Sequence, residues 1–119
     1  MKYELELNPK PFRAIKAGIK TIEVRASTTH NKHLPEELKS GDVISFLECE
    51  TGEKIDVYVV EIRHYKNVRS LLETEGIDRI LSGVGGLEQG IENIESISGY
   101  KEAIARGGIY AIEVKLKKK

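Results

Sequence analysis

The chain has 119 residues, a length typical of one domain with a single core. Charged residues make up 32% of it, and no apolar run approaches the ~20 residues that span a bilayer, which excludes a transmembrane helix. The one cysteine, Cys49, excludes an internal disulfide, and the charged start Met1–Glu6 lacks the apolar run of a signal peptide. We therefore expect a soluble, cytoplasmic domain formed by residues 1–119.

The formal net charge of zero conceals a separation of charge along the chain. Residues 9–39 contain seven Lys and Arg residues and three Glu residues, a net charge of +4, whereas residues 73–102 have a net charge of −5. A local anion-binding face is compatible with this pattern, and ordinary solvated surface is the equal alternative. The many Lys and Glu residues, with single Met, Cys and Gln residues, indicate a heat-adapted source.

The first third of the chain predicts a strand, a short helix and a second strand. Alternation over Tyr3–Leu7 is typical of a strand. Asn8 as N-cap, Pro9 at the first helical position and Gly18 at the end indicate the helix. Alternation resumes over Lys20–Arg25. One face of this second strand carries Lys20, Ile22 and Val24. The other face carries Thr21, Glu23 and Arg25.

The middle of the chain predicts a loop and a β-hairpin. Residues 26–41 are polar and contain Pro35, and Ser40-Gly41-Asp42 is a turn signal. Strands follow over Val43–Glu48 and Lys54–Tyr65, joined by a turn at residues 50–53.

Short helices and one last strand complete the predicted elements. A helix after Asn67 ends at Gly76, and a second one follows over Ile77–Leu81. The remaining elements are helices over Leu87–Ile97 and Tyr100–Arg106 and a strand over Ile109–Leu116, with Tyr110, Ile112, Val114 and Leu116 facing inward. This order lacks βαβ alternation, so we expect an α+β fold with a small mixed β-barrel and short flanking helices.

Several motifs together match the pattern of one known family. Gly18-x-Lys20-x-x-Glu23-x-Arg25 opens the second strand, and Ser40-Gly41-Asp42-Val43 precedes the third. A helix with Leu71, Leu72 and Glu75 follows, and the chain closes on Tyr110–Val114. In these features the chain resembles the ASCH domain, a branch of the PUA-like superfamily, from the first strand to the last. The resemblance implies a PUA-like barrel of five to six strands with a cleft beside the second strand that binds RNA or nucleotides.

One branch of this family consists of small amidohydrolases that remove the acetyl group from N4-acetylcytidine. The positions that match its catalytic residues are Lys20, Glu23 and Glu75, but Glu23 replaces the threonine nucleophile of that branch. A carboxylate acts as a general base on water or pairs with cations instead of attacking the carbonyl. Thr21 offers a hydroxyl on the same predicted face, about 6–7 Å along the strand from Glu23. If this chain is an enzyme, it therefore hydrolyses the amide with water activated by Glu23.

Lys20, Glu23 and Arg25 are also the strongest ligand-binding candidates. Two cations beside a carboxylate suit a phosphate and the polar edge of a base. From the spacing alone, the alternative is a salt-bridge ladder at the rim of the barrel. The other ligand-binding candidates are Thr21, Arg13 on the polar side of the first helix, and Tyr65, whose ring is suited to stack on a base.

No metal and no other cofactor is expected. His30-x-x-His33 lies in a polar loop without a Cys pair or a clear third ligand, which is too little for a zinc site. Gly83–Gly86 lacks the Lys-Ser/Thr of a phosphate-binding loop. The predicted partner is RNA, a nucleoside or a nucleotide, bound by a monomer that contacts no membrane. A domain that binds only another protein is the third alternative.

Overall fold

The computed structural model describes residues 2–27, 35–80 and 86–117, and the fold is reported for these ranges. They contain five strands: β1 Lys2–Leu7, β2 Ile22–Arg25, β3 Val43–Glu48, β4 Lys54–Tyr65 and β5 Ile109–Leu116. The strands form one curled sheet, a half-barrel, in the order β1-β3-β4-β5-β2. β1 and β3 run parallel, and all other neighbours in the sheet are antiparallel.

Short helices fill the connections between the strands. Their bounds are α1 Pro9–Lys16, α2 Val68–Glu75, α3 Ile77–Ile80, α4 Leu87–Glu95 and α5 Tyr100–Gly107, with a 3-10 turn at Pro35–Glu37. Within the described ranges, no helix has the length and apolar character needed to cross a membrane. The prediction of an α+β fold with a small mixed β-barrel of five to six strands and short flanking helices is confirmed, the barrel being a five-stranded half-barrel in the described residues.

The sheet separates two hydrophobic cores. The first lies between the concave face and α1, and it includes Phe12, Phe46 and Val57. The second lies between β2, β5 and helices α2 to α5, and it includes Ile22, Leu71 and Ile109. Since successive residues of a strand point to opposite faces, one strand can contribute to both cores, and β5 does so.

Burial on β5 corrects the predicted set of inward residues. Ile112 and Val114 are buried in the first core and Leu116 packs against it, as predicted, but Tyr110 is only half-buried and is not part of that core. Ile109 and Ala111, on the opposite face, are buried in the second core. An alternating pattern predicts one buried face, so it does not predict the burial of these two residues. Helices cover the second face of β5, and both faces of the strand are therefore buried.

The bounds of β2 differ from the prediction in a way that matters for the site. The strand begins at Ile22 and not at Lys20. After α1, Gly18 adopts a left-handed φ of +80°, and the N–H groups of Ile19 and Lys20 both donate to the Ala14 carbonyl, at 3.0 and 3.1 Å. Lys20 therefore lies in the tight connection between α1 and β2. Because it precedes the strand, the alternation of side chains along β2 does not determine the direction of its side chain.

The half-barrel is open between β1 and β2, which stand at opposite ends of the sheet order. Among the described residues, each of these two strands has one neighbour, β3 for β1 and β5 for β2. The other edge of each strand faces the opening.

Gly108, between α5 and β5, is a position that only glycine fits. Its φ is +77°, and an added Cβ would lie 2.6 Å from His64 Nε2 and closer still to the Tyr65 carbonyl oxygen. We predict that Gly108→Ala lowers the free energy of unfolding by about 3 kcal/mol, because backbone strain and a steric clash add. Gly107→Ala is the matched control, since its Cβ would meet nothing within 4 Å. Urea denaturation of the two variants measures the difference, and equal stabilities would contradict the prediction.

Candidate functional site

A cleft of about 490 Å³ occupies the opening between β1 and β2. Its walls come from the ends of both strands, from Cys49 after β3, and from the helical side of the molecule. The lining residues with polar or charged side chains are Glu6, Asn8, Lys20, Glu23, Arg25, Cys49 and Tyr100. The apolar lining residues are Leu7, Val24, Ile80, Ile94 and Ile97.

Lys20 is a buried cation whose amino group is fully occupied. Its Nζ donates to the carbonyl oxygens of Ile22, at 2.7 Å, and Ile80, at 2.6 Å. It also lies 3.4 Å from Glu23 Oε1. Because an ammonium group has three donors, these three acceptors leave none for a phosphate. Burial lowers the pKa of Lys20, and the neighbouring Glu23 carboxylate opposes this shift.

Glu23 lies between two cations at the buried end of the cleft. Its Oε2 is 2.8 Å from Arg25 Nε and 2.7 Å from Arg25 Nη2, so the arginine fork holds one oxygen while Lys20 holds the other. Burial raises the pKa of Glu23, but the charges of Arg25 and Lys20 outweigh burial and leave this pKa below its ordinary value. We call Lys20, Glu23 and Arg25 the buried triad.

Arg25 connects the buried triad to the opposite edge of the cleft. Its Nη2 also lies 3.4 Å from the carbonyl oxygen of Glu6 on β1. Burial lowers the pKa of Arg25, yet the adjacent Glu23 carboxylate more than compensates and the net shift is upward. The guanidinium therefore stays charged and spans the opening between the two strands.

Glu75 and Tyr65 lie in a second polar cluster and not with the triad. Glu75 accepts hydrogen bonds from Arg63 Nε at 2.6 Å, from Arg63 Nη2 at 2.7 Å and from the Tyr65 hydroxyl. Arg63 lowers the pKa of Glu75 despite the opposing effect of burial. Within the described part of the chain, Glu75 forms no hydrogen bond or ion pair with Lys20. The structure therefore does not assemble Lys20, Glu23 and Glu75 into one catalytic group.

Thr21 joins this second cluster instead of lining the cleft. Its hydroxyl accepts a hydrogen bond from Arg79 Nε at 3.3 Å, and its N–H donates to the Arg79 carbonyl at 2.9 Å. Arg79 lies 3.6 Å from Glu113, which also pairs with Arg63 at 3.0 Å. Thr21 and Glu23 therefore make separate contacts: the Thr21 hydroxyl meets Arg79, whereas Glu23 lies in the cleft between Lys20 and Arg25.

Arg13 is exposed on α1 and lines a separate shallow groove with Lys16 and Thr51. It therefore does not contact a ligand in the cleft directly. Tyr65, proposed as a stacking residue, has its hydroxyl bound to Glu75 and does not line the cleft.

Two motifs singled out in the sequence fall outside the described residues. His30 and His33 are among them, and so are the first three residues of Gly83–Gly86. The third histidine, His64, has its Nε2 2.6 Å from the Gly107 carbonyl oxygen. In residues 2–27, 35–80 and 86–117, no group of three or more His, Cys, Asp or Glu side chains is arranged to hold a metal ion.

Several residues that line the cleft are not among the predicted site residues. Tyr100, at the start of α5, is 5% exposed, and burial raises its pKa while Arg25 opposes that shift. Asn8 was assigned to helix capping, but its side chain makes no cap hydrogen bond and instead accepts one from Cys49 Sγ at 3.6 Å. This contact arises from the pairing of β1 with β3, in which the Cys49 N–H donates to the Leu7 carbonyl at 3.1 Å. No local signal in the sequence marks such a contact between distant segments.

The electrostatics of Glu23 predict a specific loss of stability in acid. Because its pKa is lower in the folded chain than the ordinary 4.5, the unfolded chain binds more protons at acidic pH. The stabilisation from the ionised carboxylate is complete above the ordinary pKa and disappears as the pH falls toward the folded value. We therefore predict that Glu23→Gln reduces the pH dependence of the unfolding free energy below about pH 5.

Urea denaturation between about pH 7 and about pH 3 measures this effect. Glu50→Gln, in the exposed turn after β3, is the control and should keep the wild-type pH dependence. A pH dependence that is the same in Glu23→Gln and in the wild type would show that the triad is not formed as described.

Known proteins and families give a consistent comparison. The family model described as the ASCH domain matches residues 5–118. Two similar solved structures are both of Pyrococcus proteins. The crystal structure of hypothetical protein PH0355 has a TM-score of 0.82 and 33% sequence identity, over 98% of this chain and 100% of that chain. The solution NMR structure of protein PF0455 from Pyrococcus furiosus has a TM-score of 0.77 and 33% identity, over 100% of both chains.

No curated protein matches the chain. The family match nevertheless spans nearly the whole length, and it includes the Gly18–Arg25 segment that supplies the buried triad. The half-barrel and the cleft beside β2 are the features that the resemblance implied. This chain belongs to the ASCH domain family.

Proposed function

We propose that this chain is an RNA- or nucleotide-binding ASCH module that takes one uncharged nucleobase into the cleft between β1 and β2. The observation that carries the proposal is the Glu23–Arg25 pair at the wall of an open cleft of about 490 Å³. Arginine donors and carboxylate acceptors are the side-chain groups that recognise the polar edges of bases. The proposal places both in contact with the base.

The charges in the cleft favour a neutral base over a phosphate group. The charged lining residues are Glu6, Lys20, Glu23 and Arg25, two acids and two bases. Lys20 has no free donor, and Arg25 is already neutralised by Glu23. A phosphate would have to compete with the buried carboxylate for both cations, whereas an uncharged base can bind without separating them.

The apolar lining suits the flat faces of a base. Val24, Ile94 and Ile97 line the cleft, and Ile97 is 46% exposed although its side chain is large and hydrophobic. Unstacked bases of single-stranded RNA, and free nucleosides, can enter such a cleft, but a base inside a duplex cannot.

A sugar-phosphate chain outside the cleft would meet cations on α1. This helix begins next to Asn8, which lines the cleft, and Lys10 and Arg13 are exposed on it. Neither side chain pairs with a carboxylate of the described residues. They support binding of RNA over a free base, because each phosphate contact adds affinity that depends on salt.

We further propose that the module is a monomer formed by residues 1–119 and that it works in the cytoplasm. An exposed Cys49 without a disulfide partner suits a reducing compartment. The similar protein from Pyrococcus furiosus supports the heat-adapted source inferred from composition.

The amidohydrolase alternative has less support from the geometry. A general base needs a free lone pair and a pKa near the working pH. Glu23 has both oxygens next to cations and a lowered pKa, and Glu75 is paired with Arg63.

Arg25→Lys tests the binding proposal while it keeps the positive charge beside Glu23. Lysine lacks the planar fork, so we predict that affinity for a single-stranded RNA or a nucleoside falls about tenfold or more. Arg106→Lys, on the exposed end of α5, is the matched control and should bind like the wild type. Isothermal titration with nucleosides and short RNA at two salt concentrations measures both. Equal affinities of the two variants would overturn the proposal.

Hydrolysis is tested separately. With Glu23 and Glu75 both engaged in ion pairs, we expect no acetate release from N4-acetylcytidine above that of a heat-inactivated sample, followed by proton NMR. Turnover that Glu23→Gln abolishes would contradict a purely binding role and establish the enzyme.

A further inference from the structure

The free edge of β1 presents backbone groups to the cleft at Glu6. Along a strand, the N–H and C=O groups of successive residues point alternately to the two sides. The Leu7 carbonyl accepts from the Cys49 N–H, so the backbone N–H and C=O of Leu7 point toward β3. The backbone N–H and C=O of Glu6 therefore point away from β3, toward the opening. The contact from Arg25 Nη2 to the Glu6 carbonyl agrees with this direction.

The free edge of β2 presents backbone groups to the cleft at Val24. The Thr21 carbonyl accepts from the Val114 N–H, at 2.9 Å, so the backbone groups of Glu23, two residues further along, also point toward β5. The backbone N–H and C=O groups of Ile22 and Val24 then point toward the opening. The hydrogen bond from Lys20 Nζ to the Ile22 carbonyl agrees with this direction for Ile22. Both Glu6 and Val24 line the cleft.

By this alternation, three backbone groups at the cleft face away from the neighbouring strand, and none of them makes another hydrogen bond within the described ranges. They are the N–H of Glu6 and both the N–H and the C=O of Val24. Unpaired backbone groups at an edge are strong hydrogen-bonding sites, and together they offer two donors and one acceptor on opposite walls.

We propose that these three backbone groups hold the polar edge of the ligand and decide which hydrogen-bonding pattern the cleft accepts. The inference rests on the proposed function, which places an uncharged base in the same cleft. The side chains of the triad are largely occupied with one another, so the strand edges supply the free groups that discriminate between bases.

A base fits between these edges better than an extended peptide strand does. Arg25 crosses the opening from Glu23 to the Glu6 carbonyl. A strand that paired with both edges would have to displace Arg25 and leave the buried Glu23 carboxylate with Lys20 alone, which is costly. A planar base can bind against the guanidinium without moving it.

Glu6→Pro tests the inference by removing one backbone donor. Proline is accepted in an edge strand where the lost N–H points away from the ladder, so β1 keeps its pairing with β3. Glu4→Pro is the matched control, because the Glu4 N–H also points to the free edge but Glu4 does not line the cleft. The probes are adenosine, cytidine, guanosine and uridine, titrated into each protein.

We expect Glu6→Pro to lower affinity for the best-bound nucleoside about fivefold, while Glu4→Pro and the wild type bind equally. Amide hydrogen exchange gives a second readout: the nucleoside should slow exchange at Glu6 and Val24 but leave Glu4 unchanged. Thermal unfolding of both proline variants checks that the fold is kept.

The outcomes separate this inference from the proposed function. If Arg25→Lys weakens binding but Glu6→Pro does not, the backbone recognition is wrong and the base-binding cleft stands. Equal losses in Glu4→Pro and Glu6→Pro would also overturn the inference, since they would reflect the strand and not the cleft. If none of the four nucleosides binds the wild type, the inference and the base-binding cleft both fall.

Discussion

Two cations around one buried carboxylate hold the site together, and the same contacts hold part of the fold. Glu23 is 6% exposed, and an isolated charge so deeply buried would cost several kcal/mol. Lys20 and Arg25 offset this cost, and each also binds a backbone carbonyl of a separate element, Ile80 of α3 and Glu6 of β1. The triad therefore ties β2 to α3 on one side and to β1 on the other, so that the half-barrel keeps a defined opening.

This arrangement limits what the cleft can bind. The two cations that the sequence suggests for phosphate binding already contact groups of the protein itself. The amino group of Lys20 has three acceptors, and the guanidinium of Arg25 is paired with the Glu23 carboxylate. The ligand meets a surface that is polar but nearly neutral, with apolar residues beside it. Such a surface suits an uncharged heterocycle, and the free edges of β1 and β2 supply the remaining hydrogen-bonding groups. Under the function that we propose, recognition of the base would depend on backbone geometry at Glu6 and Val24 as much as on side chains.

Local patterns in the sequence were enough for the elements and for the family, but not for the contacts between distant segments. Alternation and turn residues predicted β3, β4 and α2, and the Gly18–Arg25 segment predicted the cleft beside β2. Alternation placed Glu23 and Arg25 on one face correctly, because both lie inside the strand. It could not show that Thr21 contacts Arg79 and not the cleft, and the separation of Glu75 from Lys20 follows from the pairing of Glu75 with Arg63, twelve residues away. The bond from Lys20 to Ile80 spans sixty residues, and only the packing of α3 on β2 creates it.

The most direct test of this account is the titration of the Lys20 amino group, followed through its Nζ by nitrogen-15 NMR. A lysine that is buried against two carbonyl oxygens and one carboxylate should have a pKa below the ordinary 10.5 of a lysine, because burial outweighs the attraction of Glu23. Its ammonium protons should also exchange slowly enough with water to be observed. A Lys20 with a pKa of 10.5 or above, and with ammonium protons that exchange too fast to be observed, would contradict the buried triad, and with it the neutral cleft that the proposed function requires.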